Sequence, residues 1–231
     1  MNQSDPSGTV FNFLQYRILT HYHEARMIQE GKMPPPRTAI VYPTYVCNQN
    51  CTYCEYRCEN EDIRAVMPND KFRQLMKDLR ALGVWGTEFC GGGEPALHPL
   101  LATIIREARA DGMRLGLLTN GTKCYGDLAE ALVDCASYVR IGFDGATAET
   151  HERVKRPKHP DATFENVCRN VRNMVALRNA RKSPLRISMK VLLDATNYHE
   201  IEDCVKLAIE LAVDSIQFKA ARLCPTELDP N

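Results

Sequence analysis

From residue 39 to residue 220 the chain alternates between two hydrophobic periods, and no other feature limits its fold as strongly. Runs rich in β-branched and aromatic residues recur at 39–46 (AIVYPTYV), 84–90, 113–119, 137–143, 185–193 and 214–220. Between them, 69–83, 99–112, 126–135, 163–179 and 199–212 carry apolar residues every three or four positions. The short runs predict strands and the longer periodic segments predict helices. Six strands and five helices in strict order predict an α/β fold with parallel strands and right-handed crossovers. The count falls two β/α units short of a closed eight-stranded barrel. Asn69 or Asp70 is expected near the cap of the first of these helices and Gly83 at its end. Residues 9–31 predict a leading helix with Phe11, Leu14, Ile18 and Met27 at apolar positions; Gly31 ends it and MPPPR follows as a stiff connector. The expected division is 1–37, helix and Pro-rich connector, and 38–231, the α/β domain.

Composition narrows the function classes. The 29 basic and 29 acidic residues among 231 balance, which predicts neither a nucleic-acid footprint nor a polybasic membrane surface. No apolar run approaches the roughly 18 residues of a membrane span. The first residues, MNQSDPSG, lack the charged and apolar regions of a signal peptide, so a cytoplasmic location is expected. Thiols there stay reduced, and ten cysteines point to metal or catalysis where they cluster. The scattered Cys90, Cys124, Cys135, Cys168 and Cys204 read as small buried hydrophobes, with inert packing preferred for Cys90 over a place in the barrel interior. Cys224 is alone near the end of the sequence.

In parallel β/α folds chemistry gathers at the carboxyl ends of the strands. Here CNQNCTYC (47–54) follows the first strand, GGGEP (91–95) the second, TNG (119–121) the third and FDG (143–145) the fourth. Iron–sulfur clusters are usually held by four thiolates. Three on a four-iron cluster, from Cys47, Cys51 and Cys54, leave one iron open to an outside ligand. The consecutive glycines let a backbone approach a ligand closely, and Glu94 sets a carboxylate acceptor beside that approach. Two rivals use Cys58 as a fourth ligand: a ferredoxin-like run or a four-cysteine zinc site. The ferredoxin pattern has a shorter first gap and a proline where Glu59 stands, and zinc sites usually join separated cysteine pairs.

C-x3-C-x2-C after the first strand, an aromatic (Tyr53) before the third cysteine and a GGE segment after the second strand together resemble the radical S-adenosylmethionine (SAM) superfamily. The resemblance extends over roughly residues 38–222. It implies a partial (β/α)6 barrel, a [4Fe–4S] cluster on Cys47, Cys51 and Cys54, and SAM on the open iron. It implies Gly92, Gly93 and Glu94 at the methionyl amino group and Tyr53 near the adenine. Reductive cleavage of SAM would give a 5′-deoxyadenosyl radical that abstracts hydrogen from a substrate, with the cofactor carrying the hard chemistry. It also implies an electron donor such as flavodoxin or ferredoxin. One departure concerns the fourth strand, where many relatives carry Ser in a pattern like SLDG; here RIGFDG has Gly142. Asp144 serves the ribose only if the backbone turns it inward. Lys155 and Arg156, in THERVKRP, are the nearest basic candidates for the SAM carboxylate; otherwise that segment reads as a solvated charged loop.

Asn120 is a candidate lining residue or a plain turn residue. Lys190 and Asn197 flank the fifth strand's end in a stretch that also looks family-like. Lys219 and Arg222 are candidates for an anionic substrate. His98 is expected to shape a turn, and His21 and His23, two apart on a helix, do not form a metal pair. The substrate is a peptide or protein, or a small molecule. The alternatives are a scaffold or regulator that binds cluster and SAM without turnover, and an electron-transfer protein.

Overall fold

The structure is a computed structural model and describes residues 21–56 and 64–222. Six strands form one sheet in the order β1-β2-β3-β4-β5-β6: Thr38–Val41, Gly86–Phe89, Arg114–Thr119, Tyr138–Gly142, Arg186–Leu193 and Ser215–Ala220. Every neighbouring pair is parallel. Seven α-helices are described: α1 Tyr22–Gln29, α2 Asn69–Ala81, α3 Leu101–Ala110, α4 Gly126–Cys135, α5 Ala148–Lys155, α6 Phe164–Ala180 and α7 Ile201–Glu210. This is the expected partial barrel, with one unexpected helix, α5. Among the described residues no helix is long and apolar enough to cross a membrane.

Each strand divides its residues between two faces. Phe89, Leu117, Val139, Ile141, Ile187, Met189 and Val191 are buried. They share the core with Phe72 of α2, Ile104 and Ile105 of α3, Leu132 of α4, and Val171 and Met174 of α6. The opposite face carries Glu88, Leu118, Arg140, Gly142, Lys190 and Leu192, none of them fully buried. Parallel sheets covered on both faces are hydrophobic throughout. The polar second face here lines an open lumen instead.

Several boundaries shift for local reasons. The first strand stops at Val41 rather than running to residue 46, because Pro43 has no N–H for the ladder. Tyr42–Val46 is thereby freed to lead towards Cys47. Pro68, not Asn69 or Asp70, is the N-cap of α2, and Gly83 follows its end with φ +88°. Of the leading helix, Tyr22–Gln29 is helical, ahead of Gly31 with φ +73°; Phe11, Leu14 and Ile18 lie outside the described residues.

The segment expected to be a charged loop is helix α5. Thr147 caps it by accepting the Thr150 N–H. Its buried face consists of Thr150, His151, Val154 and Lys155. Three of these four are polar or charged, so the apolar period of an ordinary surface helix is missing.

Candidate active site

The cysteine loop is held from two sides. Its amides Asn50 N and Thr52 N donate to the carbonyls of Lys155 and Val154 at 3.0 Å, and Asn50 N also reaches Arg156 O. These are final-turn carbonyls of α5, which have no partner within the helix. The loop and α5 therefore complete one another. On the other side Asn48 donates to Thr122 Oγ1 and accepts from Asn120 Nδ2, both at 2.8 Å. Cys47, Cys51 and Cys54 all line one cavity of about 780 Å3.

GGGEP docks against the segment entering this loop. Gly93 N donates to Thr44 O and Glu94 N to Val46 O, both at 2.9 Å. A Cβ on Gly92 would lie 2.4 Å from the Tyr45 ring, and one on Gly93 would lie 2.2 Å from Val46 O. Besides the expected close approach to a ligand, these glycines allow close approach of two protein segments. The Glu94 carboxylate accepts from Ala96 N at 3.0 Å, Thr119 Oγ1 at 2.6 Å and Asn120 N at 2.7 Å. Burial raises its pKa, and those three donors work against the rise. Three of about four acceptor positions are used, so Glu94 ties β2 to the end of β3 and retains about one position for a ligand.

Asp144 does turn inward. It has φ +59° and is almost fully buried. One carboxylate oxygen stands 2.5 Å from Lys155 Nζ and accepts the Tyr53 hydroxyl. The other accepts Leu192 N at 2.5 Å. Lys155 Nζ also reaches Tyr53 Oη at 3.0 Å. Burial works against the Lys155 ammonium, but Asp144 and the ionised forms of Cys51 and Cys47 outweigh it and raise its pKa to about 12. A Cβ on Gly142 would come within 2.9 Å of Lys155 Nζ. The departure from Ser at this position leaves room for the lysine.

The remaining candidates separate cleanly. Asn120 lines the cavity, and its own side chain braces Asn48 and Thr122. Arg156 does not join the site: it caps α5 in the left-handed conformation, is exposed, and lines a separate small cleft with Thr52 and Arg153. Asn197 is also outside the cavity; buried, it donates to Asp144 O and Leu192 O. Cys90 lines the cavity, against the expectation of inert packing, because β2 turns it to the lumen. Lys190 and Arg222 line it too, and Arg222 lies 3.5 Å from Glu55. His98 shapes its turn by accepting Leu100 N and pairing with Met67 O. His21 lies 3.9 Å from Glu24. Cys58 and Cys224 lie outside the described residues. Sequence reasoning overlooked Arg140, Leu118 and Leu192, although period-two alternation from Gly142 and Lys190 assigns each to the lumen.

The three thiols suit a four-iron cluster, which takes each thiolate on a different iron: Cys47, Cys51 and Cys54 on one cavity wall supply three of its ligands. Burial and nearby Glu94 push the Cys47 thiol up to about 12, and burial raises Cys51 against the pull of Lys155. Thiolates in this setting need a cation, and metal binding must release their protons.

A family model described as the radical SAM superfamily matches residues 41–208. The chain belongs to the radical SAM superfamily. The cofactors of this family of enzymes are a [4Fe–4S] cluster and SAM. Among curated relatives, PqqA peptide cyclase of Rhodopseudomonas palustris is 25% identical over 183 residues, 79% of this chain and 46% of its own length. AdoMet-dependent heme synthase of Methanosarcina barkeri is 26% identical over 192 residues, 83% and 52% respectively. The chain thus spans about half the length of these relatives. Among solved structures, Streptococcus suis SuiB bound to precursor peptide SuiA superposes with a TM-score of 0.69 at 13% identity. That match covers 96% of this chain and 48% of the other, and it supports the fold.

Proposed function

We propose that this radical SAM protein acts on a peptide substrate in the cavity between the cysteine loop and the strand ends. Residues 38–231 form its barrel, and 1–37 is a preceding segment. Cys47, Cys51 and Cys54 would hold the cluster. When bound, the cluster and SAM supply reductive cleavage of the S–C5′ bond and a 5′-deoxyadenosyl radical able to take a hydrogen atom from the substrate.

The chain's own residues position and shield that chemistry. Helix α5 and Asn48 fix the loop, so the three thiols keep their places on the cavity wall. The GGGEP backbone, set by Gly92 and Gly93, offers polar groups to the methionyl end of SAM, with the remaining acceptor position of Glu94 beside it. Lys155 offers a cation held by Asp144 and Tyr53. Asn120 contributes to the same wall. A donor of the flavodoxin or ferredoxin type would supply the electron.

The observation that carries the reading is the joining of all three cysteines and the GGGEP turn in one cavity. An electron-transfer protein has no use for such a cavity. A peptide substrate is favoured by the relatives named for peptides, PqqA peptide cyclase and SuiB; the heme synthase keeps a small molecule as the second reading. The test is anaerobic reconstitution with iron and sulfide, reduction, and addition of SAM. 5′-Deoxyadenosine from the wild type, and none from the triple Cys47, Cys51, Cys54→Ala variant, is expected. An intact cluster whose EPR signal ignores SAM would sink the proposal.

A further inference from the structure

The lumen face of β4, β5 and β6 carries three cations that form no ion pair among the described residues. Residues paired in register lie on the same face of a sheet, and steps of two along a strand keep that face. Gly142 pairs with Lys190, and Leu192 pairs with Lys219. Arg140, Lys190 and Lys219 therefore share one face; Arg140, Gly142, Lys190 and Leu192 line the cavity, and the exposed Lys219 lies outside its lining. Each cation stands farther along its strand than the one before. Strand tilt in a barrel compensates for such a stagger, so the row runs across the wall rather than up it.

These cations are unengaged where their neighbours are committed. Among the described residues, none of the three side chains forms an ion pair or donates a hydrogen bond to protein; Arg140 stacks on the Tyr138 ring at 5.7 Å. The carboxylates nearby are taken. Asp144 holds Lys155 and Tyr53. Glu94 is held by three donors. Glu88 accepts the Tyr138 hydroxyl, and Glu55 faces Arg222. Lys190 is half-buried: burial works against its ammonium, Asp144 favours it, and Lys219 and Lys155 oppose it in turn. Unpaired charge in a partly dry wall is costly unless an anion completes it.

We propose that Arg140 and Lys190 bind an anionic group of the substrate, a carboxylate or a phosphate, on the β4–β5 wall of the cavity. The assignment rests on the reading of this cavity as the radical SAM site. Arg140 supplies a planar fork suited to either group, and Lys190 supplies a point charge. The anion would lie beside the Asp144–Lys155 pair, whose field reaches Lys190.

The test uses the reconstituted protein at saturating SAM. Thermal unfolding is followed with succinate, inorganic phosphate or neutral succinamide, all at one ionic strength set with potassium chloride. A ligand that binds only the native state raises Tm by mass action. Succinate or phosphate should raise Tm where succinamide and chloride do not, and the stronger of the two identifies the group. Arg140→Met or Lys190→Met should weaken binding about tenfold or more, the worth of a hydrogen bond to a charged group. Arg140→Lys, which keeps the charge, should retain part of it, and Lys206→Met, on the exposed side of α7, all of it. No rise beyond chloride, or a rise that survives both Arg140→Met and Lys190→Met, would overturn the assignment. 5′-Deoxyadenosine from the same samples reads the underlying reaction separately. Its absence beside an intact anion effect would remove the reaction and leave the site; its presence without any anion effect would do the reverse.

Discussion

Replacing Lys155 by Met removes an ammonium from the most deeply buried ion pair described in the protein and keeps most of the hydrocarbon. The Lys155 side chain is 5% exposed and that of Asp144 1%. Asp144 would keep the Leu192 amide and the Tyr53 hydroxyl but lose its paired cation. Removing one member of a buried pair costs about 3–5 kcal/mol. The expected loss is therefore about 3–5 kcal/mol, read by anaerobic urea unfolding of the reconstituted protein. One further signature separates this account from simple loss of packing. The double variant Lys155→Met with Asp144→Asn should be more stable than Lys155→Met alone, since no buried charge remains. A loss under about 1 kcal/mol, or a double variant less stable than the single, would refute the reasoning.

Gly93→Ala would drive a methyl group to 2.2 Å from the Val46 carbonyl, a backbone atom that cannot step aside; the expected result is a loss of at least about 1–3 kcal/mol and less iron bound per chain after reconstitution. Gly142→Ser meets the mobile end of Lys155 instead, at 2.9 Å, so the fold should survive while KM for SAM rises several-fold in the deoxyadenosine assay. His151 is fully buried between Phe143 and Phe164, and burial, then Lys155, lower its pKa to about 3. The unfolded chain takes up a proton that the native one refuses, so this contribution to stability is full above about pH 6.5 and is lost as pH falls towards 3. Between pH 7 and 4.5 the wild type should lose more stability in urea than His151→Leu does.

The strands were legible because their signal is local. β3, β4, β5 and β6 lie within one residue of their expected ends, and α4 matches residue for residue. β1 was overextended because its apolar run continues through Pro43, whose missing N–H matters only once a neighbouring strand asks for it. Helix α5 was hidden for the opposite reason. Its buried face is polar because Lys155 reaches the cavity, Thr150 pairs with Glu200 and His151 packs between Phe143 and Phe164, so polar residues sit where periodicity demands aliphatic ones. The same displacement explains Arg156, adjacent to Lys155 in sequence and turned away from the cavity by the left-handed end of the helix.

Sequence alone determined the six-strand parallel order, the residues that follow each strand, and the three-cysteine loop beside a Gly-rich turn. Those depend on periodicity and spacing, which are properties of neighbours along the chain. The tertiary structure decided which glycine touches which segment, that Gly142 makes room for Lys155, and that Tyr53 meets Asp144 from 91 residues away. It also decided that Arg140 and Lys190 line one cavity wall with no ion-pair partner among the described residues. Such pairings depend on register and strand tilt, through which residues far apart in sequence come to share one wall.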